Sequence, residues 1–219
     1  MTEDEARAWL GGHVPRGTMV ALQQLGDFVL AESAHQNLIA SSTAEHIWAR
    51  HIVDSAQLLR HAPDAARTWI DLGSGAGFPG MVVAVMRPDL SVVLVESRRK
   101  RIEFLAAMAV RLGVAERVRI AGSRVEALDS ATFDVISARA FAPMERLLPL
   151  AHRFSAPETV WLLPKGRSAA SELDAVSASW QGGFRIEPSL TDPDAAIIVA
   201  ERVEPRGRSA LAKGAKGKK

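Results

Sequence analysis

Trp69-Ile70-Asp71-Leu72-Gly73-Ser74-Gly75-Ala76-Gly77-Phe78-Pro79-Gly80 decides how the rest of the chain is read. A short apolar strand runs into a glycine-rich loop, and Met81 to Met86 follows as a helix. Alternate glycines permit positive φ and let backbone pass close to a ligand, while the helix start offers unpaired amides. A tight turn needs one glycine, so a loop with Gly73, Gly75, Gly77 and Gly80 reads as a ligand cradle.

Outward from the loop, strands and helices alternate. Ser91 to Glu96 reads as a buried strand, and Arg99 to Leu112 as a helix with Ile102, Leu105, Met108, Ala109 and Leu112 on one face. Strands follow at Arg117–Ile120, Asp134–Ser137, Val160–Leu163 and Ile197–Ala200, with helices near 143–152 and 168–180. This order predicts an α/β fold with a mostly parallel sheet covered on both faces. Between Phe184–Glu187 and the last strand there is room for a turn but not for a crossover helix, so the last strand is expected to be antiparallel. That ending is characteristic of class I methyltransferases and unusual in nicotinamide-binding domains.

Before the loop, apolar spacing predicts one helix over 18–33 and a second from Thr43, as N-cap, through Leu59, stopped by Pro63. The chain divides into an N-terminal helical element (1–66), a main domain (67–204) and a basic tail (205–219). Six of the 27 Lys and Arg residues lie between Pro205 and Lys219 with no acid, leaving 21 cations against 25 acids, or −4, before them. A Gly/Ala/Lys arm of this kind is expected to be unfolded; it reads either as a polyanion-binding arm or as a solubilising terminus.

Composition narrows the function. With 47% apolar and 24% charged residues the chain is globular, and no apolar run approaches the roughly 18 residues of a membrane span. Its acidic start is unlike a signal peptide, so a cytoplasmic protein is expected. The absence of cysteine excludes disulfides, thiolate metal sites and a Cys nucleophile; no metal is expected.

Gly75-x-Gly77-x-x-Gly80 also matches the dinucleotide fingerprint, with Glu96 about 20 residues on. Three features favour S-adenosyl-L-methionine. Asp71 precedes the first glycine, where a carboxylate orients the loop or receives an ammonium through water, and a pyrophosphate gains nothing from it. Glu96 can accept both ribose hydroxyls of an adenosine. Ser123-Arg124-Val125-Glu126 offers an edge for adenine.

Six motifs in order carry a resemblance: Asn37-Leu38, Arg50-His51-Ile52-Val53-Asp54-Ser55, Gly77-Phe78-Pro79-Gly80, Ser123-Arg124-Val125-Glu126, Ser137-Ala138-Arg139-Ala140-Phe141 and Leu163-Pro164-Lys165-Gly166. Together they resemble the RsmG (GidB) family of guanine N7 methyltransferases of bacterial small-subunit ribosomal RNA, over residues 18–204. Ile39 departs from the Thr common in the family, and the tail lies outside the pattern. The resemblance implies a Rossmann-like class I S-adenosylmethionine-dependent methyltransferase fold: a seven-stranded sheet with an antiparallel last strand, preceded by N-terminal helices. It implies cofactor contacts at Gly73, Phe78, Val125, Glu126 and Arg139, which Gly75, Gly77 and Glu96 join on chemical grounds. Arg139 and Lys165 are the candidate catalytic residues; Arg50, His51 and Lys165 are the candidate RNA contacts, with Asp54 either a site residue or an ion-pair partner of Arg50. The partner is small-subunit ribosomal RNA or a ribosomal particle, bound by a monomer.

The residue inventory agrees with N7 chemistry. Carbon-5 methylation needs the missing Cys, and amino-group methylation usually brings an Asn/Asp-Pro-Pro-aromatic loop where Ser137–Phe141 stands. Guanine N7 owns a lone pair and needs no base. Phe78 and Phe141 are the aromatic candidates for stacking on the target base. A nicotinamide oxidoreductase, without a tyrosine acid, and a non-catalytic ribosomal RNA-binding protein on the same fold remain as alternatives.

Overall fold

In the computed structural model, which describes residues 1–207, seven strands form one sheet: β1 (Thr68–Leu72), β2 (Ser91–Val95), β3 (Val118–Ala121), β4 (Val135–Ser137), β5 (Val160–Lys165), β6 (Trp180–Pro188) and β7 (Ala196–Pro205). Their spatial order is β3-β2-β1-β4-β5-β7-β6. The first five pair in parallel, and β7 runs antiparallel to both β5 and β6, as the short 188–196 connection requires. Chain order reverses between β1 and β4. A crevice at the carboxyl ends of these strands is where open α/β sheets place their ligands.

Period-2 alternation sorts the sheet into two faces. Trp69, Val92, Leu94, Leu162 and Val199 pack on one side against α2 (Arg16–Ser33), α5 (Gly80–Met86) and α6 (Arg99–Arg111). Ile70, Val93, Ile136, Trp161 and Leu163 pack on the other against α7 (Met144–Ala151) and α8 (Ala169–Val176). The N-terminal helices share one buried cluster with the sheet: Leu22, Leu25, Trp48 and Ile52 join Trp69 and Met81. Truncating a fully buried residue such as Trp69 to Ala would cost about 3–5 kcal/mol.

Three places differ from the sequence-based expectation. A helix α1 (Glu3–Gly11) precedes α2; Thr2 and Glu5 form a capping box, a signal legible in Thr2-x-x-Glu5. The single helix expected over 43–59 is broken into α3 (Ser41–Ala44), a π-helical turn (Trp48–Val53), α4 (Asp54–Ala56) and a 3₁₀ turn (Gln57–Arg60). Ala40, not Thr43, is the N-cap of α3. The break has a cause in α1: the Glu3 carboxylate accepts from the amides of Trp48 (3.0 Å) and Ala49 (2.8 Å), capping the π turn from a distant helix. Third, β7 extends to Pro205, opposite Trp180, and the Arg206 Nε donates to the carbonyls of Ser177 and Trp180 at 3.0 Å, so the first residues assigned to the tail belong to the sheet edge. Residues 208–219, with the other five tail cations, lie outside the described residues.

Candidate active site

The glycine loop is tied to the sheet by a chain of hydrogen bonds. Trp69 Nε1 donates to Ser137 Oγ (2.8 Å), Ser137 donates to Asp71 Oδ1 (2.7 Å), and Gly80 N donates to Asp71 Oδ2 (3.1 Å). Burial pushes the Asp71 carboxyl up from its ordinary range, against the hydrogen bonds from Ser137 and the loop. Both oxygens accept from the protein, so the buried Asp71 ties the start of α5 to β4 beneath the loop.

The glycines divide by purpose. A Cβ at Gly80 would lie 2.2 Å from Leu94 Cδ2, and one at Gly77 2.7 Å from Met108 Cε, so these positions are small because the core is close. Gly75, at φ 56, meets nothing nearer than Arg101 Nη1 at 3.5 Å; it is the open point of the turn.

Glu96 follows β2 and is 7% exposed. Its Oε1 accepts from the amides of Ser97 (2.7 Å) and Arg98 (2.8 Å), just ahead of α6, and its Oε2 lies 3.7 Å from Arg101 Nη1. Arg101, absent from the sequence-based list, donates to the Asn37 carbonyl at 2.8 Å and so joins the Asn37-Leu38 motif to the glycine loop. Past β3, Val125 is buried with its carbonyl held by Arg153, and Glu126 is half-exposed beside Arg146. Gly73, Gly75, Glu96, Val125 and Glu126 therefore follow the carboxyl ends of three adjacent strands, an arrangement that fits an adenosine-bearing cofactor held by backbone and two carboxylates.

A cavity of about 800 Å³ lies on the other side of the crevice, at the ends of β4, β5 and β7. Arg50, His51, Asp54, Arg139, Phe141 and Lys165 line it, joined by Thr43, Arg167, Glu172, Thr191, Asp192 and Asp194. Its four Lys and Arg pair one to one with its four carboxylates: Arg139 with Asp54 (3.0 Å), Lys165 with Glu172 (2.7 Å), Arg50 with Asp192, and Arg167 with Asp194. Burial would raise the Glu172 carboxyl, but its bonds from Lys165, Ser168 and the Met144 amide hold it below its ordinary value; Arg50 does the same for Asp192.

Arg139 is the hub. Its Nη1 donates to the Arg50 carbonyl (3.1 Å) and to Asp54 Oδ2 (3.0 Å), and its Nη2 donates to His51 Nδ1 (2.6 Å). A guanidinium only donates, so the His51 proton sits on Nε2 and is donated to Thr43 Oγ1 (2.9 Å), which in turn donates to the Ala40 carbonyl (2.8 Å). Burial, then Arg139 and Arg50, lowers the His51 pKa to about 3, keeping the ring neutral. Phe78 lies beneath this group, stacked on His51 at 5.0 Å with the Arg139 guanidinium 5.6 Å over its ring.

The structure thus brings Arg50, His51, Arg139 and Lys165 into one cavity and sets the cofactor candidates beside it. It buries His51 and Phe78, and it commits Lys165 Nζ to Glu172 and the Ala142 carbonyl. The expected Arg50–Asp54 pair is replaced by Arg50–Asp192 and Arg139–Asp54. Glu172 and the residues from 191 to 194 were not legible as site residues, because they reach the cavity only through α8 and the β6–β7 connection. Ala140, at φ 51, occupies the left-handed region, a strain of about 1–2 kcal/mol held by its neighbours.

Comparison with known proteins places the chain. The family GidB, rRNA small subunit methyltransferase G, matches residues 19–187. The ribosomal RNA small subunit methyltransferase G of Rhizorhabdus wittichii is 65% identical over 220 residues, covering 100% of this chain and 99% of its own. That of Zymomonas mobilis is 48% identical, covering 94% of this chain and 96% of its own. Among solved structures, the mitomycin 7-O-methyltransferase MmcR aligns at TM-score 0.55 and 18% identity over 83% of this chain and 67% of its own. A ribosomal protein L11 methylase from Lactobacillus delbrueckii aligns at 0.54 and 14% over 70% of this chain and 77% of its own. These distant structures share the class I methyltransferase fold. No helix among the described residues is long and apolar enough to cross a membrane. With residues 19–187 matching the family and a relative 65% identical over the whole chain, the chain belongs to the GidB family of small-subunit ribosomal RNA methyltransferases.

Proposed function

We propose that the protein transfers the methyl group of S-adenosyl-L-methionine to N7 of a guanine in small-subunit ribosomal RNA, acting in the cytoplasm as a monomer. Bound at the glycine loop, the cofactor supplies a methyl group on a cationic sulfur. Gly73, Gly75, Glu96, Val125 and Glu126 hold its adenosine end, while Arg139 stands between cofactor and substrate.

One observation supports the choice of N7: each acid and base in the cavity is already committed. The carboxylates face cations, and both His51 nitrogens are engaged. A nucleophile that must lose a proton would find no free base here. Guanine N7 attacks with its own lone pair, so positioning supplies the rate.

Lys165 and Arg139 act as fixed hydrogen-bond frames. Each is neutralised by a carboxylate, so neither opposes the positive charge that the guanine acquires. RNA phosphates are met outside the cavity, by exposed cations and by the tail.

Reaction with small-subunit ribosomal particles, digestion to nucleosides and mass spectrometry tests the reading. The expected product is 7-methylguanosine, formed at a single-turnover rate that stays flat from about pH 6 to 9, where no general base titrates. A methyl group on an exocyclic amine or a ribose hydroxyl would overturn it, and no transfer at all would leave an RNA-binding protein.

A further inference from the structure

We propose that Phe141 is a catalytic residue whose ring stacks on the face of the target guanine and stabilises the positive charge that develops there. The inference rests on the N7 reading above.

Two candidate aromatics were legible in the sequence, and the structure separates them. Phe78 is 4% exposed and closed over by His51 and Arg139. Phe141 is partly buried, lines the cavity and reaches the glycine loop, where its Cδ2 would lie 2.5 Å from a Cβ built on Gly73. It therefore stands where the cofactor half and the cavity half of the site meet. Its placement is built: Ala140 takes φ 51 just before it, and Lys165 Nζ donates to the Ala142 carbonyl just after it at 3.0 Å.

The chemistry gives that position a purpose. The N7 lone pair lies in the plane of the base, so the methyl group arrives along the edge and leaves the faces open to stacking. The N7–carbon bond forms, the carbon–sulfur bond breaks with its electron pair going to sulfur, and no proton moves. Guanine begins neutral and ends as a cation. An aromatic face attracts a cation through its quadrupole, so stacking on Phe141 strengthens as the reaction proceeds and raises the rate rather than affinity alone. The paired side chains of the cavity belong to the same logic, since four unpaired cations would resist the charge that Phe141 welcomes.

The test uses the full-length protein with small-subunit ribosomal particles at saturating cofactor and substrate. Phe141→Leu should lower the single-turnover rate about threefold to thirtyfold, whereas Phe141→Tyr and Phe141→Trp should retain most of it. Fluorinated phenylalanines at 141, which weaken the ring's negative face at nearly constant shape, should lower the rate progressively with each fluorine. An activity-free readout is calorimetric binding of 7-methylguanosine monophosphate against guanosine monophosphate: the wild-type preference for the cationic base should disappear in Phe141→Leu. A 7-methylguanosine product with rates flat across the fluorine series overturns the role of Phe141 and leaves the N7 reading standing. A methyl group found elsewhere on the RNA overturns the N7 reading itself, and the charge argument falls with it.

Discussion

On one side of the β1–β4 crevice, the glycine loop and Glu96 come from a single stretch, 71–96, joined after β3 by Val125 and Glu126, and together they present mostly backbone and the carboxylates of Glu96 and Glu126. On the other side, the cavity assembles side chains from Thr43 to Ala196 and holds them in ion pairs, three of which join residues far apart in sequence. Most of the first half is local in sequence because backbone amides and glycine turns are local objects. The second exists only once α3, the π turn, β4, β5 and the β6–β7 connection have met. Removing one group from the first half should cost affinity for the cofactor; removing one from the second should disturb several partners and cost rate.

Arg139→Ala is the sharpest test of that division. It removes three hydrogen bonds that run from the segment after β4 to the π turn and the start of α4, and should lower methyl transfer at saturating cofactor on the order of a hundredfold, measured in single turnovers. His51→Ala should show part of the same loss, since His51 accepts from Arg139; this narrows the separation of roles that their sequence positions suggest. A variant altered only in cofactor affinity would dissolve the distinction between the halves.

Glu96→Ala is expected to raise the cofactor dissociation constant about tenfold to a hundredfold, the loss of one charge-assisted hydrogen bond worth about 1.5–3 kcal/mol, with water replacing the other. Calorimetry reads this directly. The same change leaves the amides of Ser97 and Arg98 without their acceptor, so a modest fall in melting temperature should accompany it. An unchanged constant in a folded variant would move the adenosine elsewhere.

The pH dependence of stability addresses the cavity half without any ligand. His51 is held at about 3 in the folded chain, below its ordinary 6.5, so the unfolded chain binds the extra proton between these values. Stability should be full above pH 6.5 and fall as pH drops toward 3, with His51 contributing at most about 1.4 kcal/mol per pH unit. His51→Gln should flatten that stretch of a urea-denaturation profile; an unaltered slope would mean that His51 is not buried neutral.

The smallest effect belongs to the tail. Deleting 208–219, and sparing Arg206 because it is bonded to the sheet edge, should leave cofactor affinity alone. The salt dependence of RNA binding should flatten by up to about 3.5 units of slope if all five cations meet phosphate. Equal slopes for both proteins would make the tail a solubility feature.

The strands, the parallel order and the antiparallel ending were legible because alternation and glycine placement are written residue by residue. Glu96 and the glycine loop were legible for the same reason. The role of Asp54 was not: an i, i+4 spacing suggests Arg50 as its partner, yet a π turn shifts the register and delivers Asp54 to Arg139. Nor was Asp192 legible as the partner of Arg50, since nothing local in Thr191-Asp192-Pro193 points to a residue more than a hundred positions away. Long-range charge pairing leaves no period for a sequence to display.

The Glu3 cap on the π turn has a genetic consequence. Glu3 anchors Trp48 and Ala49, the same turn presents the Arg50 carbonyl and His51 and leads into Asp54, and these hold Arg139. Loss-of-methylation alleles should therefore arise at the codon for Glu3 as well as around the cavity. A start site misassigned downstream of it would yield a protein that is complete by every catalytic motif and nonetheless behaves as a hypomorph.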